Sequence, residues 1–200
     1  MKYHDLIMKL SDERIAIYSN KEQGYYFAQT RNINSDYFRG WFIFDSKIIE
    51  DYAILDNNIL LDKSKIICEV TPHKIKKSSD DIICEDILLD FEDALLININ
   101  SKKNFSFVPM FPPDLKYNIS IDSDKNIIII QYENKFIIIK SLKNFKFEYT
   151  TQDIKNLSKN RYQIFFKINV QAGENNFLFV HGDDKNAALK KCQHIFFKRD

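Results

Sequence analysis

The sequence predicts an all-β protein, a large antiparallel β-sandwich of the supersandwich kind with one C-terminal helix. Period-two alternation of apolar and polar residues recurs along most of the chain, and turn-forming clusters of Asn, Asp, Ser and Pro break it at short intervals. Only the last stretch, from Asp183 onward, carries a strong helix-period pattern. A length of 200 residues fits one domain, since all-β sandwiches commonly reach about 200–250 residues as a unit. A 44% hydrophobic fraction with 17 Phe and 10 Tyr is ample for a core.

Taken in order, residues 6–10 read as a short N-terminal helical turn. Asp56-Asn57-Asn58 divides residues 48–55 from 59–61 as a hairpin turn of the asparagine kind. Residues 66–70, 82–89 and 95–99 continue the strands, and Ile66-Ile67-Cys68-Glu69 is echoed by Ile82-Ile83-Cys84-Glu85. One echo of four residues does not make a repeat architecture. Pro109, Pro112 and Pro113 place residues 108–114 in a loop between two groups of strands. Tyr117, Ile119 and Ile121 then alternate with polar residues. Residues 127–130 and 136–139 are continuous apolar runs around Glu133-Asn134, the pattern of a hairpin buried on both faces. Phe145, Phe147 and Tyr149 alternate again, residues 151–160 read as a short helical turn, and Tyr162, Ile164, Phe166, Ile168 and Val170 form the cleanest alternation. Strands this numerous call for two large, curved sheets. Asp183 or Asp184 caps the final helix, whose Leu189, Cys192, Ile195 and Phe196 fall on one stripe. The chain thus divides into a sandwich, 1–182, and the start of a connecting helix, 183–200.

Composition narrows the function classes. Twenty-nine Lys and Arg against 28 Asp and Glu give a net charge of +1, without the basic excess that nucleic acid or an anionic membrane selects. The densest basic run, His73-Lys74-Ile75-Lys76-Lys77, reads as a solvated strand end. No apolar run approaches bilayer length, and no signal-peptide pattern opens the chain. Three cysteines imply no disulfide framework, so the expected location is the cytoplasm. Four isolated glycines, Gly24, Gly40, Gly173 and Gly182, write neither a dinucleotide fingerprint nor a phosphate loop. No cofactor is expected. Cys68, His73 and Cys84 lack a CxxC pair and a fourth ligand, so no metal is expected either.

Acidic residues cluster at Glu85, Asp86, Asp90, Glu92 and Asp93, and a glycosidase needs two carboxylates facing across a sugar. Alternation puts Asp86, Leu88 and Asp90 on one side and Glu85, Ile87 and Leu89 on the other, which reads as solvated acids at a strand edge. Cys192 and His194 sit two residues apart on a helix and face apart. His181, before Gly182, reads as a turn residue, and no Gly-x-Ser-x-Gly elbow is present. Among the aromatic groups, Trp41, Tyr25 and Tyr37 are the candidates for stacking on sugar, although core filling is the commoner use of such side chains. None of these residues forms a catalytic constellation.

Ser19-Asn20 followed by Gly24-Tyr25-Tyr26, then Arg39-Gly40-Trp41-Phe42-Ile43 with Asp45, resembles the N-terminal β domain of archaeal and bacterial glycogen-debranching enzymes. The hairpin Ile54-Leu55-Asp56-Asn57-Asn58 and the exit from Asn176 to Leu189 are similar to the same family's. Gln23-Gly24 departs from it, where two adjacent glycines are frequent. The resemblance implies a large sandwich attached to an α/α toroid that cleaves α-glucosidic bonds with carboxylates of the toroid. It therefore implies no catalytic residue in this chain, a missing C-terminal catalytic domain as its partner, and α-glucan as a further one. On that basis Leu189, Cys192, Ile195 and Phe196 are the expected domain-interface residues. The alternatives are a carbohydrate-binding module built on Trp41, Tyr25 and Tyr37, and an assembly protein whose helix face meets a partner chain.

Overall fold

Alternating residues pair into antiparallel ladders along most of the described residues. The computed structural model describes residues 8–10, 15–29, 39–56, 59–60, 66–141, 143, 145–149 and 164–197. A nine-stranded sheet runs in the order β1 (Met8–Leu10), β8 (Ile67–Val70), β9 (Ile75–Ser78), β10 (Ile82–Leu88), β11 (Ala94–Ser101), β18 (Gly173–Gly182), β15 (Lys135–Ser141), β14 (Ile127–Tyr132) and β13 (Tyr117–Asp122). A five-stranded sheet contains β16 (Lys146–Tyr149), β17 (Phe166–Val170), β12 (Phe105–Met110), β6 (Asp51–Asp56) and β7 (Ile59–Leu60). The third sheet has β2 (Ile15–Ser19), β3 (Gly24–Gln29), β4 (Gly40–Ile43) and β5 (Ser46–Ile49). Helix α1 spans Lys185–Phe197. The protein is an all-β sandwich with a C-terminal helix.

Its main core lies between the inner face of the nine-stranded sheet and the two smaller sheets. Cys84, Leu95, Ile97, Phe177 and Phe179 from the large sheet meet Tyr26, Trp41, Ile48, Phe107 and Phe166 from the small ones. Phe107 stacks on Phe177 with ring centroids 4.4 Å apart. The outer face of the large sheet carries a second core, in which Leu96, Ile127, Ile138, Leu178 and Val180 pack against Ala188, Cys192 and Ile195 of the helix. The hairpin β14–β15 is therefore buried on both faces. Ile128, Ile130, Ile137 and Ile139 face the inner core, while Ile127 and Ile138 face the helix. Its continuous apolar runs follow from that double burial. No helix among the described residues is long and apolar enough to cross a membrane.

Several elements differ from expectation. Among the described residues three hydrogen-bonded sheets form rather than two. The chain leaves the four-stranded sheet at Ile49 and enters the five-stranded one at Asp51, so one continuous extended segment serves both. Residues 8–10 form strand β1 against β8, because pairing with an open edge satisfies backbone groups that so short a helix would leave unpaired. Pro109 lies within β12, opposite Tyr52 of β6. Pairing of β12 with β17 spans only Phe105 to Phe107, so Pro109 sits where one side of the strand carries no ladder and its missing N–H breaks nothing. Residues 151–160, read as a helical turn, lie outside the described residues. Cys68, Cys84 and Cys192 are buried and not disulfide-bonded.

Gly40 makes the corner between the small sheets. Its φ is +112°, and a Cβ there would lie 2.1 Å from the Ile49 carbonyl oxygen and 2.9 Å from that of Glu50. Only glycine lets β4 approach the bend this closely. Gly40→Ala is expected to cost more than about 3 kcal/mol, because backbone strain and a clash with main-chain atoms add. Urea denaturation of the purified chain measures it, and a loss under about 1 kcal/mol contradicts the tight corner.

Candidate functional site

Strand β9 lies between β8 and β10, and the register explains the sequence echo. Cys68 and Cys84 both stand opposite Lys77, and Glu69 and Glu85 both stand opposite Lys76. Two similar acidic strands thus flank one basic strand. On the outer face Lys74 pairs with Glu85 at 2.6 Å and Lys76 with Glu69 at 3.6 Å. The basic run is an interior strand rather than a solvated strand end, and Lys77 points into the sandwich.

There Lys77 Nζ meets Asp86 Oδ2 at 2.6 Å. Asp86 is 0% exposed. The phenol of Tyr26 donates to its Oδ2 at 2.8 Å and that of Tyr52 to its Oδ1 at 2.6 Å. Tyr26 belongs to the four-stranded sheet, Tyr52 to the five-stranded sheet, and Lys77 and Asp86 to the nine-stranded one. Every sheet of the sandwich meets at one carboxylate. Lys77 Nζ also lies 5.0 Å from the Tyr52 ring centroid, in cation–π range. Arg39, buried, pairs with Asp51 at 3.5 Å.

Burial, then the charge of Asp86, holds the Tyr26 and Tyr52 phenols well above their ordinary range, so both remain donors. Burial opposes the charge on Lys77, but Asp86 and Asp51 outweigh it and raise its pKa. Glu50 is raised by burial, while its hydrogen bond from Lys47 at 2.8 Å pulls the other way. Asp86 was expected among solvated edge acids; it is instead the most enclosed carboxylate of that cluster, because β10 is an interior strand of the large sheet. A carboxylate closed to solvent and held by three donors ties these strands together.

A second polar buckle ties the β2–β3 turn to the β10–β11 turn. Asn20 Oδ1 accepts from the Gly24 and Glu22 backbone N–H groups at 2.7 and 3.0 Å. Its Nδ2 donates to the Glu92 carbonyl at 3.0 Å, and its own carbonyl accepts from Phe91 N–H at 2.7 Å. A Cβ on Gly24 would stand 2.7 Å from Asn20 Nδ2, which accounts for glycine there.

The sugar-stacking candidates separate. Trp41 is 0% exposed and fills the core opposite Tyr26, so it presents no face to a ligand. Tyr37 lies outside the described residues. Tyr25 is 41% exposed and stands directly across from Phe42. Phe42 packs edge-on against Phe27, with centroids 5.5 Å apart, and Ile17 stands across from Phe27. With Ile15, and with Phe44 in the β4–β5 turn, these residues give the four-stranded sheet an apolar outer face; Ile17 is 63% and Phe44 66% exposed. Sequence reasoning chose Trp41, one position away from Phe42, and alternation decides between them only once the core side is known.

The expected interface stripe on the helix also finds another use. Cys192 and Ile195 are buried, and Leu189 and Phe196 half-buried, against this chain's own sheet. Lys140 Nζ lies 4.8 Å from the Phe196 ring centroid. The stripe closes on the sandwich because the outer face of β11, β18 and β15 is itself apolar. Asp184 Oδ1 caps the helix by accepting from Ala187 N–H at 2.8 Å. Comparison with protein-family models and with curated proteins finds no match to the chain.

Asp86→Asn is expected to cost about 3–5 kcal/mol, since it leaves Lys77 buried without its counter-ion. Tyr26→Phe and Tyr52→Phe should each cost about 1.5–3 kcal/mol, the loss of one hydrogen bond to a charged group. Chemical denaturation of the three variants tests the hub, and neutral values in all of them refute it. His181 is pushed down to about 4, mainly by burial, and its folded pKa lies below the unfolded value of 6.5. The stability at stake is complete above pH 6.5 and is lost as pH falls toward 4, amounting to about 3 kcal/mol. Comparing His181→Asn with the parent across that window should show a flatter curve for the variant.

Proposed function

We propose that the chain is the N-terminal, non-catalytic β-sandwich domain of a glycoside hydrolase of the glycogen-debranching type, supporting an α/α-toroid catalytic domain. The observation that carries this is the apolar outer face of the four-stranded sheet, on which, among the described residues, Lys47 lies over the Phe42 ring. Ile15, Ile17, Tyr25, Phe27, Phe42 and Phe44 together make a patch of the kind that soluble monomers seldom leave in water. A neighbouring domain is the economical cover for it, in place of the helix stripe.

The residues behind the resemblance support the same reading. Asn20, Gly24, Arg39, Gly40 and Trp41 are all buried framework positions, building the turn, the corner and the core. A likeness carried by such positions is a likeness of architecture. The interior carboxylates Glu50, Asp51 and Asp86 each sit against a cation, so this reading assigns hydrolysis to the toroid's carboxylates. β18 passes into a capped helix docked on the large sheet, which would hold the exit toward the next domain rigid. Buried, unbridged cysteines suit a reducing compartment, and we place the protein in the cytoplasm.

The isolated chain should release no reducing sugar from glycogen or its limit dextrin. Its native reading frame should continue past Asp200 with a helical-hairpin pattern. Turnover by the chain alone, or a stop codon directly after Asp200, overturns the proposal. Replacing Ile17 and Phe44 with Lys and Ser should raise the solubility of the isolated chain and change its stability by no more than about 0.5 kcal/mol each, as surface substitutions do.

A further inference from the structure

The outer face of the five-stranded sheet carries a groove of about 750 Å³. Its floor follows the register, with Ser106, Asn169 and Lys146 side by side on β12, β17 and β16, and Lys167 beside Glu148 in the next row. Ser106, Asn169, Glu148 and Lys167 hold one another. Ser106 Oγ donates to Asn169 Oδ1 at 2.7 Å, and Asn169 Nδ2 donates to Glu148 Oε1 at 2.7 Å. Lys167 Nζ meets Glu148 Oε2 at 2.9 Å. Bonds from Lys167 and Asn169 keep the Glu148 carboxyl ionised, below its usual range. Asn104 and Gln171 stand at one end, and half-buried Phe145 forms part of the wall.

We propose that this groove binds a neutral oligosaccharide. Three members of the network keep capacity for another partner: the second Asn169 N–H, the remaining Glu148 lone pairs, the Ser106 oxygen. Donors and acceptors therefore alternate along the floor. A sugar hydroxyl is both donor and acceptor, and vicinal hydroxyls match such a lining. Lys146 and Lys167 would attract a phosphate that Glu148 repels, which makes phosphate the competitor to test, and an apolar ligand would strand the floor's polar groups. Phe145 packs against the main core, and its half-exposed remainder at the groove wall is the apolar contact for a sugar ring's C–H face. Because the side chains are already locked, binding spends little rotamer entropy. A peptide would more simply add to the edge of β16, unpaired among the described residues, which uses backbone rather than these side chains.

The choice of α-glucan as the first ligand rests on the reading above; the groove itself does not. The whole chain, labelled with nitrogen-15, is titrated with maltoheptaose, cellohexaose and inorganic phosphate while backbone amide shifts are followed. Saturable shifts from an oligosaccharide at residues 104–106, 146–148 and 169–171 are expected, with maltoheptaose preferred. Asn169→Ala should weaken binding about tenfold, equivalent to about 1.4 kcal/mol. The surface pair Lys146→Ala and Glu148→Gln should do the same with an otherwise unchanged spectrum, which separates lost contacts from lost folding. No saturable shift from either sugar overturns the proposal, as do shifts confined to the Tyr25 and Phe42 face or phosphate binding at the same residues. Groove binding together with a stop codon after Asp200 would leave this site standing and remove the hydrolase-domain reading.

Discussion

Asp86 accepts hydrogen bonds from Tyr26 and Tyr52 and an ion pair from Lys77, and through them it joins the four-, five- and nine-stranded sheets. A carboxylate taken out of water costs several kcal/mol unless donors replace its hydration. Here three donors converge from different sheets, so each sheet must be in place before the charge is satisfied. Loss of one sheet's position would strand the charge, which couples the packing of all three. Apolar contacts supply most of the driving force, while the hub selects the one mutual arrangement in which the interior is electrically quiet.

The nine-stranded sheet works on both faces, and this sets where the surfaces of the molecule lie. Its inner face closes the main core, and much of its outer face closes on the helix. The helix stripe, a natural candidate for an external junction, is spent inside the domain. Among the described residues, exposed apolar side chains gather instead on the four-stranded sheet, whose inner face is filled by Tyr18, Tyr26 and Trp41 and whose outer face repeats aromatic and aliphatic residues. The five-stranded sheet divides its outer face differently, with Ala53, Leu55, Val108 and Met110 in a small buried cluster beside the polar groove. Three sheets thus present three chemically distinct exteriors.

Particular residues show how far the site was legible. Period two correctly set Asp86 and Leu88 on one side of β10, a side that Ile82 and Cys84 share, while Asp90 falls past the end of the strand. The same pattern contained the clue that Asp86 shares a buried face, but alternation alone does not say which face is buried when both carry apolar residues. Lys77 shared a side with Ile75 and gave the same signal. Tyr26 and Tyr52 stood in apolar runs as ordinary core aromatics, and nothing local says that their hydroxyls converge on a residue 60 and 34 positions away. Trp41 and Phe42 differ by one position, and that single step exchanges core for surface.

Local chemistry was enough for the strands, the β6–β7 pairing (its Asn57 and Asn58 lie outside the described residues), the doubly buried β14–β15 hairpin and the Asp-capped helix, because side-chain periodicity and capping act over a few residues. It was also enough to set aside a glycine-loop nucleotide site, since four isolated glycines cannot build one. The number of sheets, the corner at Gly40, the burial of Asp86 and the fate of the helix stripe were decided only by tertiary structure. Each depends on which distant segment arrives opposite a given face, and desolvation and packing energies belong to that meeting rather than to either segment alone.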